Sequence, residues 1–512
     1  MERESTAEEK LGDALVTTDR IIGPWQILTR VRDAWSQGGK LNLPDLLEAT
    51  KIFEEFRYQR GLFQAASVLT SILVNRLKFE RARVLLAEIR KSLGEDVQKC
   101  VIDLLDASVL LHLSNHSDGE ELVRSVLRTL VAEGCLPDQQ AAAHGLLAQV
   151  AIGRGDVEAA SSHLKEASRL TPVRRPALDL QSALLHLRSG RMSRAERILN
   201  ELRATEGLPL WQRIEGMLMM CESLIRRHHW ARVERLLEEI SQSKMDLSGS
   251  AFEIQMLRVR GEIALGGKDF RKARQYFHRA ERIADSADAV DVRTRGLLQL
   301  CMARTQLLAG NNHQAAALAT EAYGKLSRAN DIAMKAECEL VLGRIYRAFG
   351  SSWQAGRYFS RALNGFGKLG DKLGEAECYD QLGNLKLLER YPVKGETEPE
   401  ITVIDTLRTL DEYSPESQGF EGLEVGENLQ EQDFELGVPT PRVRDHETVR
   451  SLFESSLRYY KEAERFSEAA RIADSLASIA STEEIRRHYI AEARRLWRLA
   501  GLDELAAMSG DK

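Results

Sequence analysis

Apolar and small residues recur along most of the chain at helical spacing. One phrase, made of a turn, a small residue and a large apolar residue four positions later, returns about every 35 to 42 residues. Its anchors are Ala82, Leu122, Ala160, Ala195, Val233, Ala273, Ala315 and Ala355. Most follow glycine- or serine-bearing turns such as Gly155-Asp156, Ser189-Gly190, Gly310-Asn311-Asn312 and Gly350-Ser351-Ser352. The pattern predicts pairs of antiparallel helices stacked in sequence, each pair burying its apolar face only against its neighbours. Such an array grows without the size limit of a single core, so 512 residues do not require several globular domains.

The clearest unit runs over 336–363. Leu342, Gly343 and Tyr346 lie on its first helix, a turn follows at Gly350, and Ala355, Phe359 and Ala362 lie on its second. Gly343 and Ala355 are small where two backbones must approach, and Tyr346 and Phe359 fill the space beside them. The segment 141–172 repeats the scheme with Leu147, Ala148, Ala160, Leu164, Ala167 and Pro172, as does the unit with Gly261, Ala264, Ala273, Phe277 and Ala280. This resembles the tetratricopeptide repeat (TPR), whose small and bulky motif places fall here on Gly343, Ala355, Ala362, Leu342, Tyr346 and Phe359. Spacings near 40 point to the long-unit kind, similar to kinesin light chains and the sensor arms of bacterial signalling ATPases. The resemblance implies an all-α, right-handed TPR-like alpha-alpha superhelix, with the first helix of each pair lining a concave face.

The expected organisation is an N-terminal tail and short helix over 1–40, loose before Ile21, then a repeat array over 41–390. An acidic insertion follows over 391–446, then C-terminal repeats and a capping helix over 447–500, and a tail over 501–512. The insertion carries 14 acidic against 4 basic side chains and no sustained periodicity, so it is expected to be disordered. It falls inside one repeat: Leu452-Phe453 aligns with Tyr358-Phe359 across the gap. Its apolar islands, 401–407 and 434–438, suit a docking segment or a plug for the groove. A tolerated surface loop is the plain alternative.

Six cysteines at irregular spacing, without CxxC, argue against a disulfide framework and suit a reducing, cytoplasmic location. Cys338 and Cys378 occupy equivalent places in successive helices, as packing residues do. A net charge of -6 gives no general attraction to nucleic acid, and no apolar run suits membrane insertion. Residues 365–370 spell GxGxxG, but at the end of a repeat helix, without the strand and following helix that a dinucleotide site needs. His112 and His116 are one helical turn apart beside turn-forming residues, which favours a fraying helix end over a metal site. No catalytic, cofactor or metal constellation is found, so the reading is non-enzymatic.

The resemblance places Gln255, Arg258, Glu262, Arg304, Arg344, Arg347, Glu377, Asp380 and Asn384 along the concave groove. Its arginines suit a carboxylate or acidic peptide through forked hydrogen bonds, and Asn384 suits peptide backbone. The same positions are also the solvated sides of amphipathic helices. The expected role is an adaptor or scaffold for partner proteins or peptides, as a subunit of a larger complex. The alternative is a sensor that binds a peptide or small effector and controls a separate signalling or transcription protein.

Overall fold

A computed structural model describes residues 2–171, 175–289, 291–390 and 446–509. All of the 391–446 insertion but His446, and the repeat-closing Pro172, lie outside the described residues. Among those described there are helices and turns but no strand. The opening helices are α1 (Glu2–Gln37), longer than the short helix expected within 1–40, and α2 (Leu43–Glu55). Seven hairpins follow. They are α3 (Gln59–Asn75) with α4 (Phe79–Ser92), α5 (Asp96–His112) with α6 (His116–Ala132), α7 (Pro137–Gly153) with α8 (Val157–Leu170), and α9 (Pro176–Arg188) with α10 (Met192–Arg203). Next come α11 (Leu210–Arg226) with α12 (Trp230–Ser241), α13 (Ala251–Gly266) with α14 (Phe270–Asp285), and α15 (Val292–Leu308) with α16 (Asn312–Arg328). The chain ends in α17 (Ile332–Ala348), α18 (Ser352–Leu369), α19 (Lys372–Arg390), α20 (His446–Glu462), α21 (Phe466–Ser478), α22 (Glu483–Leu499) and α23 (Asp503–Met508).

The chain forms two compact units. The first comprises 1–342 and 361–375, the second 343–360 and 376–512. Both are built on the TPR-like scheme of consecutively paired helices, with one small-against-large contact repeated. A Cβ added to Gly261 would lie 2.4 Å from the Phe277 ring, one on Gly343 2.4 Å from Phe359, and one on Gly383 2.7 Å from Phe453. Only hydrogen fits there. Phe277 follows Gly261 by 16 positions and Phe359 follows Gly343 by 16, but Phe453 follows Gly383 by 70. Phe453 on α20 therefore fills the place that Phe359 fills one repeat earlier.

The small anchors Ala82, Ala160, Ala195, Ala273, Ala315 and Ala355 are fully buried, and so is Val233. Leu122 is the exception. The fourth residue of α6 is Gly119, matching Ala82 in α4 and Ala160 in α8, and a Cβ there would meet Leu111 at 2.9 Å. The small position in that hairpin is Gly119, and Val123 below it fills the core. The GxGxxG run lies at the end of α18, where Gly370 takes φ +68 and Gly365 faces the Ala336 side chain, 2.8 Å from where its own Cβ would stand.

A feature of the first unit has no counterpart in the repeat motif. Turns inside early hairpins touch loops between much later ones. Arg76 donates to the Ser248 carbonyl at 2.8 Å and to Asp246 at 2.9 Å, and Lys78 donates to the Ser286 carbonyl at 3.2 Å. Asp288 accepts from the backbone N–H groups of Glu80 and Arg81, both at 3.2 Å, and so caps α4 from outside its own repeat. Gly155 packs against Ile332 and Leu369, and Gly190 abuts Asp371 so closely that a Cβ would lie 2.5 Å from its carboxylate. The turn of one hairpin thus meets the loop about five hairpins on, four times over. The helix pairs of this unit coil until successive turns of the coil touch along a seam.

Candidate ligand-binding face

The residues expected to line a binding face lie on the first helices of the pairs, and they fall into two groups. In the first unit, α13 places Gln255, Arg258 and Glu262 on successive turns. Arg258 Nε donates to Gln255 Oε1 at 3.0 Å. Arg304 of α15 donates to Glu262 Oε1 at 3.0 Å, and the Cys301 thiol points at the same oxygen from 3.4 Å. Burial, with that carboxylate adding to it, pushes the Cys301 thiol well above its ordinary pKa, so it stays protonated and unreactive.

Sequence reasoning missed the acidic partners of this group. Glu222 of α11 lies 3.4 Å from Arg188 and 3.9 Å from Arg258. Burial pushes its carboxyl up, but Arg188, Arg258, Arg293 and Arg226 outweigh that and hold it ionised, below its usual pKa. Glu337 of α17 shows the opposite balance. Burial raises its pKa, and Arg226, Arg304 and Arg188 recover only part of the loss. Glu337 and Glu222 thus feel arginines from α9, α11, α13 and α15 together, so these helices converge on one shared charged hub. At its edge Arg293 binds Asp331 at 2.7 Å, and Asp331 is held down to about 2 against the cost of burial.

A usable signal existed in the repeat spacing. Glu222, Glu262 and Arg304 are separated by 40 and 42 residues, and Glu215, Gln255 and Glu337 are equally in register with one another. Counting one repeat further back from Glu262 and Gln255 would have found Glu222 and Glu215.

In the second unit, Arg344 pairs with Glu377 at 3.0 Å and Arg347 donates to Gln381 at 2.6 Å. Asp380 is buried and takes two hydrogen bonds from Arg471 of α21, at 3.3 and 2.5 Å. Asn384 donates to the carbonyl of Asp380 at 2.8 Å and to its carboxylate at 2.6 Å. Asp380 and Asn384 thus serve each other and Arg471, which ties α19 to α21. Burial lowers the Arg347 pKa, with Arg344 adding to the effect.

The other candidates have structural surroundings. His112 bonds through Nδ1 to the Ser108 carbonyl at 2.7 Å, and no group of three or more His, Cys, Asp or Glu is arranged for a metal among the described residues. A further histidine, His228, takes φ +60 in a turn and stacks on Trp230. Cys338 is fully buried with its thiol 3.3 Å from the Ala319 carbonyl, and Cys378 is fully buried as well. No described helix is long and apolar enough to cross a membrane.

No family model and no curated protein matches this sequence. Among solved structures, a Rap protein complexed with Competence and Sporulation Factor is 15% identical, with a TM-score of 0.41 over 64% of this chain and 77% of that one. The apo form of RapI is 10% identical, with a TM-score of 0.34 over 72% of this chain and 99% of that one.

Proposed function

We propose that this chain is a non-enzymatic, long-unit TPR-type binding protein. It takes a peptide or small charged effector against the first-helix faces of its first unit and acts through a separate protein. The observation that carries this reading is the charged hub: Arg188, Arg226, Arg258 and Arg304 from four successive first helices meet Glu222, Glu262 and Glu337. Folding alone gives little reason to gather so much charge on one inner face, because buried ion pairs barely repay their desolvation. A ligand that exchanges its own carboxylates or amides for these contacts gives one. The Arg258–Glu222 contact, at 3.9 Å, is the loosest and the easiest to exchange.

The seam favours an effector over a large folded partner. With successive turns of the coil touching, the inner face is reached along the coil axis, which suits an extended peptide. A scaffold for whole proteins through the outer surface is the second reading, favoured by the number of paired helices that expose polar faces.

The test is fluorescence anisotropy of the full chain against pools of labelled pentapeptides, repeated with R258A/R304A. Saturable binding that weakens at least tenfold in the double variant supports the reading. Each charge-assisted hydrogen bond is worth about 1.5–3 kcal/mol, and tenfold is about 1.4 kcal/mol. Binding that is equal in both proteins moves the site elsewhere.

A further inference from the structure

We propose that Glu215 is the seat for a cationic group of the ligand, an ammonium or a guanidinium, and this rests on the reading of the inner face as the ligand site. Glu215 lies on α11 in register with Gln255 and Glu337. It is seven residues before Glu222, two helical turns on the same side and about 10 Å along the axis at 1.5 Å per residue. Its flanking residues Ile214, Gly216, Met217 and Leu218 are buried.

What distinguishes it is the absence of any counter-charge among the described residues. Glu222 has Arg188 and Arg258, Glu262 has Arg304, and Glu337 feels three arginines. Glu215 has no hydrogen bond and no ion pair among the described residues, and burial alone raises its pKa, to about 7, with no nearby charge to oppose it. The side chain is nevertheless only half-buried, and its oxygens are not sealed from water. It is therefore hemmed in by protein yet open to something arriving by way of solvent. A carboxyl kept in that condition, on the side of the helix that carries the hub, lacks a cation which no described residue supplies.

The spacing sets the ligand's chemistry. A cation at Glu215 and a carboxylate at the Arg258–Glu222 contact lie about 10 Å apart, the span of three extended residues at roughly 3.3–3.6 Å each. The ligand class is a short peptide with a basic group about three residues from an acidic side chain or a terminal carboxylate.

Two measurements on the full chain test this. Argininamide alone is too small to reach the hub from Glu215. At pH 8 it should raise the melting temperature of wild type and leave E215Q unmoved. In the second, pentapeptide pools carrying arginine are compared with pools carrying citrulline, its neutral isostere. Wild type should prefer arginine by about tenfold or more, the size of one charge-assisted contact. E215Q should bind both pools alike. Argininamide acting equally on both proteins, or on neither, overturns the proposal, as does an arginine preference that survives in E215Q. If argininamide distinguishes the two proteins while no pool binds, the cation seat stands and the peptide-binding function fails.

Discussion

A carboxyl whose pKa is raised by burial alone, as at Glu215, binds a proton more tightly in the folded chain than in the unfolded one. The sign follows directly. Stability from this group is present below the unfolded value, near pH 4.3, and is lost as pH rises towards 7, up to about 3 kcal/mol for two to three units of difference. E215Q should therefore flatten the pH dependence of chemical denaturation between pH 5 and 8 and raise stability at pH 8. Identical slopes for variant and wild type would show that the side chain is solvated. This carboxyl was within reach of the repeat register, but its isolation was not. Whether an arginine stands opposite depends on how neighbouring helices face one another, which no single-chain pattern encodes. The same limit explains Arg258, Glu262 and Arg304: their positions were legible, while their engagement with one another and with Glu222 was not.

Three hairpins share a contact between a glycine and an aromatic ring: Gly261 with Phe277, Gly343 with Phe359 and Gly383 with Phe453. At Gly261 an added methyl group has nowhere to go, because Phe277 is fully buried and the nearest ring atom is 2.4 Å away. Gly261→Ala should cost about 1–3 kcal/mol, the usual penalty of overpacking, despite alanine's better helix propensity. A companion Phe277→Leu change should recover part of that loss, and urea denaturation of the single and double variants measures both. A single variant as stable as wild type would mean that the ring moves aside freely. This level of structure was the most legible, since small-and-large spacing is a local property of sequence. Leu122 is instructive in that respect. The turn-forming residues before it hide Gly119, which lies inside α6 where α5 approaches closely.

Along the seam of the first unit, Asp371 does three things at once. It is almost wholly buried, it accepts from the backbone of Gly374 at the start of α19, and it binds Arg226 at 2.5 Å beside Gly190. Asp371→Asn keeps the capping and the shape but removes the charge that faces Arg226 across the seam. Breaking a buried pair in this way costs roughly 3–5 kcal/mol. Amide exchange should speed up around 189–190 and 369–371 while the outer helices stay protected; unchanged exchange at both places would show that the coil does not depend on this contact. Nothing in the motif pointed to the seam, because repeat periodicity describes neighbours and the seam joins chain segments such as 76 with 246 and 190 with 371.

That separation also orders the way the first unit is built. Hairpins close on partners a few dozen residues away and form quickly, whereas the bond from Arg76 to Asp246 joins residues 170 positions apart and waits on a long loop closure. A chain emerging from the ribosome therefore holds five complete hairpins before the first rung can latch, and until then it is an open spring. Refolding should accordingly show a fast phase that restores helix and a slower one that brings Trp211 to its stacked place against Trp35.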